Sequence, residues 1–378
     1  MSIYILVTLT NPNTALTYCI FYLEINRLLW YDKHGDTMNY NYSGAYYYSP
    51  EQQLRLQKQQ QISAMRSDCN KVGFFVMIYF LAMYALVYMC VFLIKGGILS
   101  SSKENEFFMN ILYAVGASLI PGLIFIAASK TRISDVLTST HVKISKMLPI
   151  IMFGMGVAML ANVAASLFDS NISLFQLKNY ASQDTEGSTL FEFLLSVIGT
   201  ALVPAFAEEF AFRGIVLSRL RKYGDSFAIF ASALLFGAMH GNTTQIVFAF
   251  LLGLIFAYVD VKTNSIIPSV IIHFFNNFYA VLANSMVNSN TLTEQQSQLF
   301  SYILMVAFSL LGLLSIVYLS KTDKYFFKLN DSAEAVSLLE FKNKINTFII
   351  NPGVMIALSL FTAEMIVNMI PPELLGLS

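Results

Sequence analysis

Nine stretches of this chain are apolar over close to the length a helix needs to cross a bilayer. They run over roughly residues 72–94, 107–128, 147–168, 190–211, 227–240, 245–259, 265–283, 300–319 and 348–370. A spanning helix takes about 20 such residues. Inside lipid no water can satisfy backbone N–H and C=O groups, so only helices and closed barrels cross it, and continuous apolar runs of this length are helical. Charged residues make up 12% of the chain, against about 25% in soluble domains. The fold class is therefore an all-α polytopic membrane protein with eight to nine transmembrane helices and any site inside the helix bundle. The fifth and sixth stretches are short and separated by HGNTT at 240–244, which predicts a tight hairpin between two antiparallel helices.

The loop charges test this topology independently, because Lys and Arg concentrate on the cytoplasmic side. With the amino terminus in the cytoplasm, the tail and loops on that side carry 17 Lys and Arg and those on the other side carry 3. The bias supports nine spans with the carboxyl terminus outside. Net charge is zero, with 23 basic and 23 acidic residues, so composition gives no case for nucleic acid. Cys19, Cys69 and Cys90 form no CxxC and leave an odd count, which supports neither a disulfide framework nor a thiolate metal site.

The first residues carry neither a basic n-region nor a signal-cleavage pattern. Residues 1–71 read as a polar, disordered cytoplasmic tail, rich in Tyr and Gln from Met38 onward. Met38 is read as the start, with residues 1–37 an over-extended reading frame. Residues 72–186 then form the amino-terminal transmembrane helices, 187–285 a core that holds most of the intramembrane polar groups, and 286–378 the carboxyl-terminal helices.

An ionisable residue inside a span costs at least about 2.5 kcal/mol on insertion scales and marks a functional site by default. The candidates are Glu208, Glu209, Arg213, His240, His273 with Asn277, and Glu364. Depth is measured from the nearest cytoplasmic charge. Glu208 lies 14 residues before Lys222, about 21 Å deep in a helix of 1.5 Å rise. His240 is 15 residues after Asp225, about 22 Å deep, while His273 and Asn277 follow Lys262 at about 16 and 22 Å. Three helices distant in sequence thus bring polar groups to one level.

Spacing within each helix divides the roles, since residues four apart share a face. Glu209 with Arg213, His273 with Asn277, and Phe236 with His240 are such pairs. Glu208 points about 100° away from Glu209, so Glu209 is expected to be neutralised by Arg213 while Glu208 faces the histidines. A carboxylate removed from water beside a histidine is a candidate general base for water. A neighbouring His and Asn can hold the oxyanion formed when water attacks an amide. Blander readings stand beside these: a structural ion pair for Glu209 and Arg213, a helix cap for His240, and interhelical hydrogen bonding for His273 and Asn277. Glu364 and Asn368 read as groups snorkelling near the outer end of the last span.

EEFAFRG (208–214), FGAMH (236–240) and HFFNN (273–277) resemble, in order, the EExxxR, FxxxH and HxxxN motifs of the CPBP (Abi) intramembrane proteases, the group containing the type II CAAX prenyl endopeptidases. The resemblance covers spans four to seven and makes 187–285 a CPBP-like catalytic core. It implies a membrane endopeptidase with Glu208 as catalytic base, His240 beside it, His273 and Asn277 as oxyanion donors, and Glu209, Arg213 and Phe236 in support. It further implies a membrane-associated peptide or protein as substrate, the lipid bilayer as surroundings, and a bacterial cell membrane as location. Family members are described both as metal-free and as metalloproteases. No cofactor is expected here, since HExxH is absent and Asn is a poor zinc ligand; were Zn²⁺ bound, Glu208, His240 and His273 would be its ligands.

Two other classes share these residues. One is a non-catalytic membrane scaffold or bacteriocin-immunity factor that keeps the site as structure. The other is a proton-coupled transporter, disfavoured because the inverted repeats and paired broken helices of that class do not show in the sequence.

Overall fold

The computed structural model describes residues 49–100, 102–174, 189–329 and 337–371. It is helical throughout, and among the described residues the sole strand-like contact is an isolated bridge between Ser139 and Ser265. Eleven helical elements run in order through the described residues: α1 Pro50–Lys95, α2 Lys103–Ser129, α3 Ile133–Val136, α4 Ile144–Leu174, the composite α5 Leu190–Tyr223, α6 Asp225–Ala238, α7 Thr243–Thr263, α8 Ile267–Asn288, α9 Glu294–Thr322, α10 Phe341–Ile349 and α11 Pro352–Val367. Eight of the nine apolar stretches each fall on one of these helices, and the ninth, 348–370, straddles the break between α10 and α11. Six described helices are long and apolar enough to cross a membrane, or seven if bent α10 and α11 make one span. The remaining apolar helices, Val115–Ser129 within α2 and α6, are shorter. The count of nine is thus not reproduced.

The polar tail expected over residues 1–71 is a helix from Pro50 onward, and its remaining positions, with the proposed start at Met38, lie outside the described residues. The correction has a local cause. Ser49 Oγ accepts from Gln52 N at 3.2 Å and Gln52 Oε1 accepts from Ser49 N at 2.9 Å, a reciprocal capping box. Pro50 then sits where its missing N–H is no loss, and the Gln, Leu, Lys and Arg residues beyond it are good helix formers. Backbone contacts divide the chain into two units, Met1–Gln59 and Gln60–Ser378. The second unit holds α2 to α11 and the greater part of α1.

Within that unit α4 packs against α7, α8 and α9, and α6 pairs with α7 as the predicted hairpin. Gly156 of α4 meets Gly312 of α9 so closely that a Cβ on the first would fall 2.9 Å from the Cα of the second. Small residues at such a crossing let two backbones approach, which drives helix association in lipid. α2 lies along α5, where Gly122 leaves room for the Phe210 ring. Large apolar side chains stay exposed on the outer helices, among them Phe92 of α1 and Leu314 of α9, as a lipid-facing surface requires. The protein is integral to the membrane.

The last apolar stretch is broken. α10 and α11 meet at 67°, because the residue before a proline is driven out of the helical region and Pro352 follows Asn351 directly. α1 clamps the break: Asn351 Nδ2 donates to Arg66 O at 2.9 Å, and Gly353 N donates to Asn70 Oδ1 at 2.9 Å.

The basic loops gather at one end of this unit. Asp68 of α1, itself buried, receives Arg219 Nη2 at 2.7 Å, Lys222 Nζ at 2.6 Å and Tyr223 Oη at 2.6 Å. Arg221 Nη1 donates to Asn264 Oδ1 at 3.0 Å, and Thr140 N to Asn264 O at 3.3 Å. Lys146 meets Asp323 at 2.9 Å, while Lys262 Nζ donates to Tyr325 O at 2.6 Å. The Gly241 turn belongs to the other end, where Thr244 Oγ1 donates to Asp169 Oδ1 at 2.5 Å.

Candidate active site

α5 supplies the acids. It runs unbroken from Leu190 to Tyr223, but its hydrogen bonding widens to the π pattern twice, over Val197–Leu202 and over Phe210–Leu217. π-helical turns inside α-helices are uncommon and occur often at functional sites. Glu208 and Glu209 end the α-helical stretch between the two, and Arg213 sits in the second. The helix does continue through Arg213, as the depth comparison required, though not as a regular α-helix.

Glu209 and Arg213 are buried completely at their side chains, with Arg213 Nε 3.1 Å from Glu209 Oε2. The two atoms are close but poorly aligned, so the contact is an ion pair without a good hydrogen bond along it. The guanidinium finds its other partners nearby. Nη2 donates to Gly253 O at 3.3 Å, and Cζ lies 4.4 Å from the Phe236 ring centre and 5.1 Å from that of Phe256. A desolvated cation between two aromatic faces is held by the ring quadrupoles.

Glu209 does more than neutralise Arg213. His273 of α8 places Nδ1 3.0 Å from Glu209 Oε1 and Nε2 3.8 Å from Glu208 Oε2. Its imidazole therefore bridges the two acids whose roles the sequence separates. Beside Arg213, Glu209 is an acceptor, so His273 Nδ1 carries the proton it donates. The ring is only 4% exposed and stacks on Phe256 with centroids 5.0 Å apart. Glu208 keeps 21% of its side chain exposed and so can be reached from the space beside it.

His240 ends α6. Its Nδ1 lies 2.8 Å from Phe236 O, and since a carbonyl can only accept, Nδ1 holds a proton, which in the neutral ring leaves the lone pair on Nε2. The histidine thus caps its own helix while leaving one nitrogen for chemistry. Phe236 separates the two imidazoles, its ring centre 5.1 Å from His240 and 6.1 Å from His273. Asn277 donates through Nδ2 to Thr200 O at 3.2 Å and accepts from Asn276 Nδ2 at 3.2 Å. One amide hydrogen of Asn277 is therefore committed to structure and the second is left to donate.

Glu208, Glu209, Arg213, Phe236 and His273 come together directly, while His240 joins through Phe236 and Asn277 through its helix. Glu364 and Asn368 lie elsewhere, on the Gly241 turn, and pair there instead of snorkelling. Three contributors escape a reading of the sequence. Phe256 is one of 32 Phe and carries no signal of its own. Asp260 reads as a loop residue, but α7 runs on to Thr263 and buries it to 5% exposure. Pro204 does carry a signal: it lacks the N–H that a helix would offer Thr200 O, and Asn277 supplies that carbonyl with a donor.

Residues 190–279 match the family model Rce1-like, described as type II CAAX prenyl endopeptidase Rce1-like. The match supports a CPBP, CAAX protease-like family for this segment. The matched stretch runs from the start of α5 to within α8 and so contains every residue of the cluster above. No curated protein and no solved structure matches the chain. At the family level the Rce1-like segment points to a membrane endopeptidase.

Zinc can be set against the donors present. Among the described residues no group of three or more His, Cys, Asp or Glu side chains is arranged to hold a metal ion. His273 Nδ1 is taken by Glu209 and His240 Nδ1 by Phe236 O, contacts that leave Nε2 of each ring and do not themselves argue against a metal. The set Glu208, His240 and His273 does not close around one point, and no catalytic step is assigned to a metal.

Proposed function

We propose that the protein is an intramembrane endopeptidase that hydrolyses a peptide bond of a membrane-associated protein or peptide, with Glu208 as the base that activates water. The observation that carries this reading is the asymmetry of the two acids. Glu209 is enclosed and committed to Arg213 and His273, whereas Glu208 is part-exposed and has His273 Nε2 at 3.8 Å. Only Glu208 is left free to accept a proton.

Glu208 takes a proton from water as the water oxygen bonds to the carbonyl carbon, and the carbonyl electrons move onto oxygen. Asn277, with its second amide hydrogen, and the His273 ring, when protonated at Nε2, donate to that oxyanion. Nε2 of His240 accepts from the attacking water and orients it. As the tetrahedral carbon collapses, the C–N bond breaks and Glu208 returns its proton to the leaving nitrogen. The products are a carboxylic acid and an amine, and the acid's proton passes to the amine or to solvent, with no covalent enzyme intermediate. The cytoplasm is assigned to the end bearing Arg219, Arg221 and Lys222, in a bacterial cell membrane. No nucleic acid partner and no cofactor enter this scheme.

The test uses purified protein in detergent with two quenched fluorogenic peptides, one farnesylated with a CAAX end and one carrying a plain transmembrane anchor. General-base catalysis contributes about 10²–10⁴-fold, so Glu208→Gln should lose at least about a hundredfold in kcat with unchanged thermal unfolding. Cleavage within tenfold of the starting protein would remove Glu208 from the role of base.

A further inference from the structure

His240 stands at the end of α6, where the chain turns into α7. A catalytic nitrogen at a turn is only as well placed as the turn itself, and helix ends fray unless their backbone groups are bound. The turn is held from outside the matched segment. Gly241 follows His240 at φ +60°, a left-handed conformation that favours glycine. Its carbonyl accepts from Asn368 Nδ2 of α11 at 3.0 Å. A Cβ on Gly241 would fall 2.3 Å from Glu364 Cδ and 2.6 Å from Glu364 Oε2, so the carboxylate packs flat against the glycine. Glu364 is fixed in turn by Tyr84 of α1, whose hydroxyl donates to Oε1 at 2.5 Å. On the far side of the turn Asn242 Oδ1 caps α7 by accepting from Thr244 N at 3.0 Å, and Thr244 Oγ1 bonds Asp169 of α4.

We propose that Asn368 and Glu364, braced by Tyr84, are positioning residues that clamp Gly241 and thereby fix the His240 imidazole. The inference rests on the proteolytic reading for its consequence in catalysis, but the clamp is a property of His240 and can be read without turnover. Polar residues near the outer end of a span have solvated alternatives, and a group that merely snorkelled would point to water. Both of these instead turn inward onto one glycine adjacent to one histidine. Two helices far apart in sequence, α1 and α11, thereby constrain a residue of the family segment.

The experiment labels histidine with ¹⁵N in the full-length protein in lipid nanodiscs and assigns His240 among the four histidines by its loss in His240→Gln. The unaltered protein should show His240 protonated at Nδ1. Asn368→Ala and Tyr84→Phe should move its two nitrogens towards a mixture of tautomers while His273 stays where it was. Thr362→Ala, on the same helix with its hydroxyl bonded to Leu358 O, should move neither. In the farnesylated-peptide assay Asn368→Ala should lower kcat by about tenfold, the effect of one lost hydrogen bond, with KM within twofold. In the His240→Ala background it should cost nothing further, since coupled residues are not additive. Unmoved His240 signals in a folded Asn368→Ala protein, or a loss that multiplies with that of His240→Ala, would overturn the clamp. Should the unaltered protein cleave neither peptide, the proteolytic reading fails while a shifted His240 signal still upholds the clamp.

Discussion

Arg213 is one of the largest fully buried side chains among the described residues, and its charge is paired with Glu209. Removing one member of a buried pair costs more than the pair is worth, because the survivor keeps its charge with nothing to balance it. Arg213→Met should therefore destabilise by about 3–5 kcal/mol, read as a fall in the detergent unfolding temperature. Adding Glu209→Gln should recover much of that loss, since a neutral amide needs no cation. Recovery of stability without recovery of cleavage is the expected pattern, because Glu209 also orients His273. A double variant as unstable as Arg213→Met alone would mean that the cation–π packing on Phe236 and Phe256 carries the stability. At this scale the sequence was informative about identity and partial about partners. The four-residue spacing of Glu209 and Arg213 foretold the ion pair. Nothing in one helix could foretell that Glu209 would also hold a histidine of α8, because that bond depends on how two helices rotate against each other.

Pro204 and Asn277 illustrate how one element sets the requirements of another. Proline inside a helix removes an N–H and leaves the carbonyl four residues earlier without its donor. In lipid an unsatisfied carbonyl is expensive, and Thr200 O is satisfied by Asn277 Nδ2 from α8 at 3.2 Å. Asn277→Ala should then cost about 1–3 kcal/mol, the penalty of orphaning a buried polar group. In a Pro204→Ala background the restored N–H can serve Thr200 O, and the same Asn277→Ala change should cost markedly less. Equal costs in the two backgrounds, measured by urea unfolding in mixed micelles, would show that Asn277 stabilises through some other contact. The helices themselves were legible, since apolar length alone located all nine stretches and HGNTT marked the hairpin. Their irregularities were less so. The two π-helical stretches of α5 leave no mark on hydrophobic periodicity, and the Asn351–Pro352 break was hidden by the apolar residues on either side of it. The polar start of α1 misled because composition reports what a segment can bury, whereas the Ser49–Gln52 capping box needs nothing to bury.

The whole molecule poses a question of sides. The candidate base lies between two ends that differ in charge and in construction. One end collects Arg219, Arg221, Lys222, Lys146 and Lys262 and ties them to Asp68, Asn264, Asp323 and the backbone near Tyr325. The other includes the Gly241 turn and the buried clamp on it. Lys and Arg near span ends set orientation, and with the amino terminus in the cytoplasm the loop bias is 17 to 3. Within the larger unit the structure gathers basic residues of these loops at one end. The orientation can be read with single cysteines in a background lacking Cys19, Cys69 and Cys90. Lys324→Cys, exposed beyond the end of α9, belongs to the basic end, and Gln295→Cys, exposed in the first turn of α9, to the other. In right-side-out vesicles a membrane-impermeant maleimide should label Gln295→Cys at once and Lys324→Cys only after permeabilisation. The reverse pattern would place the basic end outside and invert the proposed topology. Equal labelling of both would mean that α9 does not cross, leaving α4, its partner at the Gly156–Gly312 contact, packed against a helix that does not span the bilayer.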